Sequence, residues 1–177
     1  MIRDLSLTLQ AILDDPALAA DFPELAAAQI AFERPSDTFT PGSATVDLFL
    51  FDIRENAELR SNEPVVTRTG IGELTLEKPP KRIACSYLVT AWATGGGDLA
   101  LQEHRLLSQA LQVLSRYPQI PPSFLRGKLI GQEPDLPVIV AHAEGVREPH
   151  EFWAAIGNKM RPAFILTATV SIPVFPA

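Results

Sequence analysis

TVDLFLFDIRE, residues 45–55, decides the fold. Its β-branched and aromatic residues favour extended chain. Alternation puts Val46, Leu48 and Leu50 on one side and Phe49, Phe51 and Ile53 on the other. A strand apolar on both sides is covered twice, or has one side that meets a partner. KRIACSYLVTAWA at 81–93 is a second long strand, ended by Gly95-Gly96-Gly97. LPVIVAHA at 136–143 reads as a third core strand, AFILTATVSI at 163–172 as the last, and Gln29–Glu33 as a short one closed by Arg34-Pro35.

Helices lie between these strands. Leu5, Leu9 and Ile12 at i, i+4, i+7, with Ile2 and Leu13 beside them, predict an amphipathic helix over 2–14, stopped by Asp14-Asp15-Pro16. The alanines of 17–28 give a weaker helical signal. Asp98 is placed to cap a helix over 99–116, with Leu107, Ala110, Leu111 and Leu114 as its buried stripe. Pro149 opens a last helix that Gly157 ends. Tyr117–Pro122 is a proline-rich stop, and 123–128 a short turn. With no repeat and no linker, residues 1–177 form one α+β domain, a mixed sheet packed with two to three helices.

The chain of 177 residues has 46% hydrophobic and 20% charged residues, so it holds a globular core without metal or disulfide staples. Its net charge of −6 and scattered Lys and Arg exclude a nucleic-acid or membrane-surface partner. Asp4 interrupts the apolar start that a signal peptide needs. Apolar runs stop at about five residues, against the roughly 18 of a membrane span. A lone cysteine, Cys85, forms no internal disulfide, which fits synthesis in a cytosol.

Motifs for chemistry fail one by one. Gly95-Gly96-Gly97-Asp98 lacks the Lys and Ser/Thr of a phosphate loop and puts a carboxylate where phosphate would sit, so it reads as turn and N-cap. Gly70-Ile71-Gly72 reads as a hairpin turn. His150-Glu151 begins a zinc helix whose second ligand position holds Ala154. His104 and His142 have no ligand-spaced companions. Cys85, inside an apolar strand, reads as a small core residue, with a Cys–His nucleophile as the alternative. No cofactor or metal is expected.

Two features point to association instead. From Arg54 to Lys78 the chain turns polar and then alternates, which predicts a hairpin arm projecting from the core. Its Arg54, Glu55, Asn56, Glu58, Arg60, Asn62 and Glu63 alternate in charge, a pattern that at a subunit boundary sets register. Glu103 carries the helical stripe into the first turn, where it either answers the helix dipole or pairs with an Arg of another subunit.

The segments RDLSLTLQAIL (3–13), FERPSDTFTP (32–41), TVDLFLFDIRENAELRSNEP (45–64), PPKRIACSYLVTAW (79–92), EHRLLSQALQVLSRYPQIPPSFL (103–125) and EFWAAIGNKMRPAFILTATV (151–170) together resemble the cap, or tail-terminator, proteins of extracellular contractile injection systems. These are phage-tail-like particles made by bacteria. None of the segments is a catalytic motif; their order and number carry the resemblance. It implies a structural, non-enzymatic protein that forms a sixfold homo-hexameric ring on the distal end of the inner tube and sheath and ends their polymerisation. It implies tube and sheath proteins as partners, assembly in the bacterial cytoplasm, and a particle that can be released extracellularly. Some members carry a further C-terminal segment; this chain is expected to stop after its last strand, leaving that segment's function absent or supplied elsewhere.

Under this reading the arm residues Arg54, Glu55, Asn56, Glu58, Arg60 and Asn62, together with Glu103, Trp153, Lys159 and Arg161, are the expected interface. Core packing is the competing role for Trp153, and charge at a helix C-terminus the one for Lys159 and Arg161. Competing functions are a terminator of a contractile phage or prophage tail, a small Cys85/His enzyme, and a monomeric module binding peptides at its sheet edge.

Overall fold

A strand apolar on both sides needs two covering layers, and helices supply both. The computed structural model describes residues 1–69, 73–142 and 145–174. Its strands are β1 (Gln29–Ala31), β2 (Thr45–Glu55), β3 (Val65–Thr69), β4 (Glu73–Glu77), β5 (Lys81–Trp92), β6 (Val138–Val140) and β7 (Ala163–Ile172). Five make a mixed sheet in the order β1-β2-β5-β7-β6, with β1 parallel to β2 and every other pair antiparallel. The ribbon β3–β4 forms a separate two-stranded sheet, as the arm reading predicts. The expected turn at Gly70-Ile71-Gly72 lies outside the described residues.

Helix α1 (Ile2–Leu13) buries Leu5, Leu9, Ile12 and Leu13, the stripe its sequence predicts. Pro16–Ala20 forms a 3-10 turn and Pro23–Ala26 a single helical turn, α2, in place of a longer helix; Pro16 and Pro23 each start a new short element. Helix α3 (Leu99–Ser115) starts at Asp98, whose side chain accepts from the Leu101 N–H. Gly95 and Gly97 precede it at φ near +100°, a conformation that needs glycine. Helix α4 (Pro149–Ile156) ends at Gly157 in the left-handed region, as expected.

The main core lies between the sheet and helices α1 and α3. Val46, Leu48, Cys85, Tyr87, Val89, Leu166, Ala168 and Val170 meet Leu9, Leu106, Ala110 and Val113 there. Tyr87 holds its hydroxyl 3.0 Å from Ser6 Oγ of α1. A smaller core on the opposite face joins Leu88, Trp153 and Ile156, with Phe49, Phe51, Phe152 and Ile165 packed against them.

Three readings change. The buried stripe of α3 is Leu106, Ala110, Val113 and Leu114, while Leu107 and Leu111 are only half-buried at its margin. The apolar arc of this helix is wide enough to admit either setting, and the sheet selects one. The 136–143 segment is a three-residue edge strand rather than a core strand; Leu136 is buried before it, Ile139 is half exposed, and Ala143 lies outside the described residues. Ile53 does not share a face with Phe49 and Phe51. A bulge between Leu50 and Asp52 shifts the register, so Asp52 opposes Ser86 and Ile53 opposes Cys85 on the main-core side.

Leu48 is fully buried, and Ile53, five residues along the same strand, is 50% exposed. Leu48→Ala should cost about 2–5 kcal/mol and Ile53→Ala less than about 1 kcal/mol in urea-denaturation measurements on the monomer.

Candidate assembly interface

The residues expected at an interface fall into an exposed set and an internal set. Arg54 and Glu55 close β2, where Arg54 Nε donates to Asp52 at 2.6 Å and Arg60 lies 3.9 Å from Glu55. Exposed pairs of this kind contribute little to stability, so their charges remain available to a partner. Glu58 and Asn62 are exposed as well. Asn56 serves the fold: its N–H donates to the Arg82 carbonyl, its Oδ1 accepts from Glu58 and Leu59, and its Nδ2 donates to Thr169 Oγ1. It ties the root of the arm to β5 and β7.

Glu103 does pair with an arginine, but with one from its own chain. Arg161, between α4 and β7, reaches Glu103 Oε1 at 2.9 Å, donates to the Ala91 carbonyl at 3.0 Å and lies 3.5 Å over the Trp92 ring. Glu103 also accepts from the Ala93 N–H. The pair is 24% and 17% exposed and clamps the start of α3 to the end of β5. Two expected interface residues are thus one internal strut, because the turn after β5 brings the first turn of α3 back over Trp92. Trp153 is 4% exposed at the centre of the smaller core, where the competing role of core packing applies. Lys159 is exposed beside Met160, which is itself 62% exposed.

Asp47 escaped the sequence reading. It alternates onto the α4 side of β2 and has no accessible surface; its Oδ1 accepts from the Glu33 N–H at 2.8 Å, and its Oδ2 has no hydrogen-bond partner among the described residues. Burial pushes its carboxyl up to about 7, with the Glu33 N–H and the charge of Arg161 opposing. The signal available in sequence was one acid among TVDLFLF, which reads equally well as a solvated position. Cys85 is fully buried, and its thiol is pushed up to about 11, again by burial first. Such a thiol is held in its neutral form by the apolar surroundings, as suits a small core residue.

Two further surfaces need tertiary structure to be seen. In the β3–β4 register Val66 opposes Leu76, and Leu74 lies on the same face, since cross-strand partners and every second residue share a side. These three are 58%, 71% and 62% exposed. The outer edge of β2 is paired with β1 only at Thr45–Asp47, so from Leu48 to Glu55 it has no strand partner among the described residues.

The profile of the Pvc16 N-terminal domain family matches residues 4–176. The chain belongs to that family. Two solved structures share its Pvc16 N-terminal fold. One is the PVC sheath/tube terminator of an extracellular contractile injection system in its extended state, at 24% identity, covering 99% of this chain and 56% of that one, with TM-score 0.65. The other is the anti-feeding prophage cap, a tube terminating cap, at 23% identity, covering 99% of this chain and 55% of that one, with TM-score 0.64. The chain therefore spans little more than half the length of either. No match was found among curated proteins.

Two predictions follow from the polar groups. The folded state keeps the Asp47 proton up to about pH 7, whereas an unfolded chain releases it near 4, so stability falls as pH rises across that window. Asp47→Asn keeps the acceptor for Glu33 and removes the charge; it should leave stability unchanged at pH 4 and raise it by on the order of 1–3 kcal/mol at pH 8, read from denaturation midpoints. Arg161→Ala should cost about 1–3 kcal/mol, and a double-mutant cycle with Glu103→Ala should show coupling above about 0.5 kcal/mol.

Proposed function

We propose that this domain is a terminator of a contractile injection system, capping the inner tube and sheath and ending their polymerisation. The family match across residues 4–176 carries the reading, and the terminator and cap descriptions of both solved neighbours support it. The domain is then a structural component without catalytic activity. Its copies form a sixfold ring at the distal end of the particle, assembled in the bacterial cytoplasm and released with the particle. Tube and sheath proteins are its partners.

The physical task is to pair with the subunit surface at a growing end while presenting no copy of that surface outward. A domain with a formed core, an uncovered ribbon face and an open sheet edge suits that task. In this reading Arg54, Glu55, Glu58, Arg60 and Asn62 face the neighbouring subunit or sheath, with Lys159 at the α4 end, and Trp153, Glu103, Arg161 and Asn56 hold the frame that presents them.

The test is electron microscopy of particles from cells lacking the gene beside those of the parent. Tubes and sheaths of uncontrolled length, or unstable particles without an end density, are expected. Particles of unchanged length, end structure and yield would overturn the reading.

A further inference from the structure

The two edges of the central sheet are treated differently. Along β7 the outer edge is covered from Ile165 to Ser171. The Ile165 carbonyl accepts from the Ala141 N–H, β6 pairs with Leu166–Ala168, and the Thr169 N–H donates to Pro137. The Gln132 side chain then bonds both the N–H and the carbonyl of Ser171 in place of a strand. Arg82 fastens this segment by donating to the carbonyls of Pro134 and Asp135. The β2 edge has no strand partner over Leu48–Glu55 among the described residues, and Ile53 on it is half exposed. An open edge of eight residues is an invitation to strand pairing unless it has an intended occupant.

The β3–β4 ribbon has the complementary deficit. A lone two-stranded ribbon is marginally stable in water, and this one leaves Val66, Leu74 and Leu76 uncovered on one face. Among the described residues it makes no strand pairing with its own central sheet. The connection Lys78-Pro79-Pro80 to β5 spans three residues and contains two prolines, which limits how far the ribbon can turn back. Each of its strands is five residues long and fits within the open edge.

Building on the ring reading, we propose that the β3–β4 ribbon of one copy adds to the open β2 edge of the next copy, extending its sheet. The occupant is a second copy because the open edge and the uncovered ribbon lie in one chain, and a five-residue ribbon strand fits within the edge. Strand addition satisfies the backbone groups of the edge and places the apolar ribbon face beside Ile53. Since β7 is closed, the contact runs head to tail, a ribbon into an edge, which closes into a ring when the rotation between copies permits.

Particles from cells making two differently tagged full chains, both with Cys85→Ala so that the thiol opposite position 53 is removed, test this, one chain carrying Ile53→Cys and the other Val66→Cys or Leu76→Cys. Mild oxidation should give a disulfide-linked heterodimer bearing both tags, at least about tenfold above a control pair using Ile139→Cys on the opposite edge. The variant Val66→Asp/Leu76→Asp, altered only at exposed positions, should keep its melting temperature and lose incorporation as a ring. Absence of the heterodimer from particles that contain both chains would overturn the contact, as would capture of a tube or sheath subunit by the ribbon cysteines instead. Either result leaves the terminator reading standing on the gene-deletion phenotype, and a heterodimer in particles whose length ignores the deletion would keep the contact and remove the terminator role.

Discussion

The β2–β5 pairing, running from Thr45↔Trp92 to Glu55↔Ile83, carries large apolar side chains on both of its faces, and the rest of the domain is arranged to cover them. Val46, Leu48, Tyr87 and Val89 require α1 and α3; Phe49, Phe51 and Leu88 require α4. Removing surface of this kind from water contributes about 25 cal/mol per Å2, so neither layer is optional. The layers are unequal. The α1/α3 side forms a large continuous core, whereas α4 covers one end of the opposite face through Trp153 and Ile156.

Polar groups lock the ends of this arrangement. At one end Arg161, Glu103 and Trp92 join α3, β5 and the approach to β7, with Asp47 buried near the same arginine. At the other, Asn56 and Arg82 fix the root of the arm and the segment that seals β7. Partly buried charge of this sort stabilises only when paired, because desolvation offsets most of the Coulombic gain. Its role here is positional: it sets where the helices start and where the arm leaves the sheet. The arm therefore projects from a rigid base while its own apolar face stays uncovered. That division sets a covered core against an uncovered ribbon face and a β2 edge without a strand partner among the described residues.

Much of this was legible in the chain. The period-2 pattern of 45–55, 81–92 and 163–172, the i, i+4, i+7 spacing of Leu5, Leu9 and Ile12, the Asp98 cap and the Gly157 stop each depend on local geometry, and each appears in the structure. The polar switch after Arg54 likewise marks the arm, because no core strand carries so many adjacent charges. Where the reading failed, local pattern left the choice open or the deciding partner was distant. Leu106 or Leu107 can anchor α3, Ile53 follows Phe51 unless a bulge intervenes, and the partner of Glu103 lies 58 residues away at Arg161.

Periodicity and composition in the sequence by itself therefore determined the element types and the α+β class. These are properties of neighbouring residues, which the polymer's own geometry enforces. Only tertiary structure decided that Trp153 is core, that Glu103 and Arg161 answer each other, that Asp47 is buried, and that β7 is sealed while β2 is open. Each of those depends on which distant segment arrives at a given face or edge. Burial and hydrogen-bond satisfaction are settled by that arrival, and no local pattern records it.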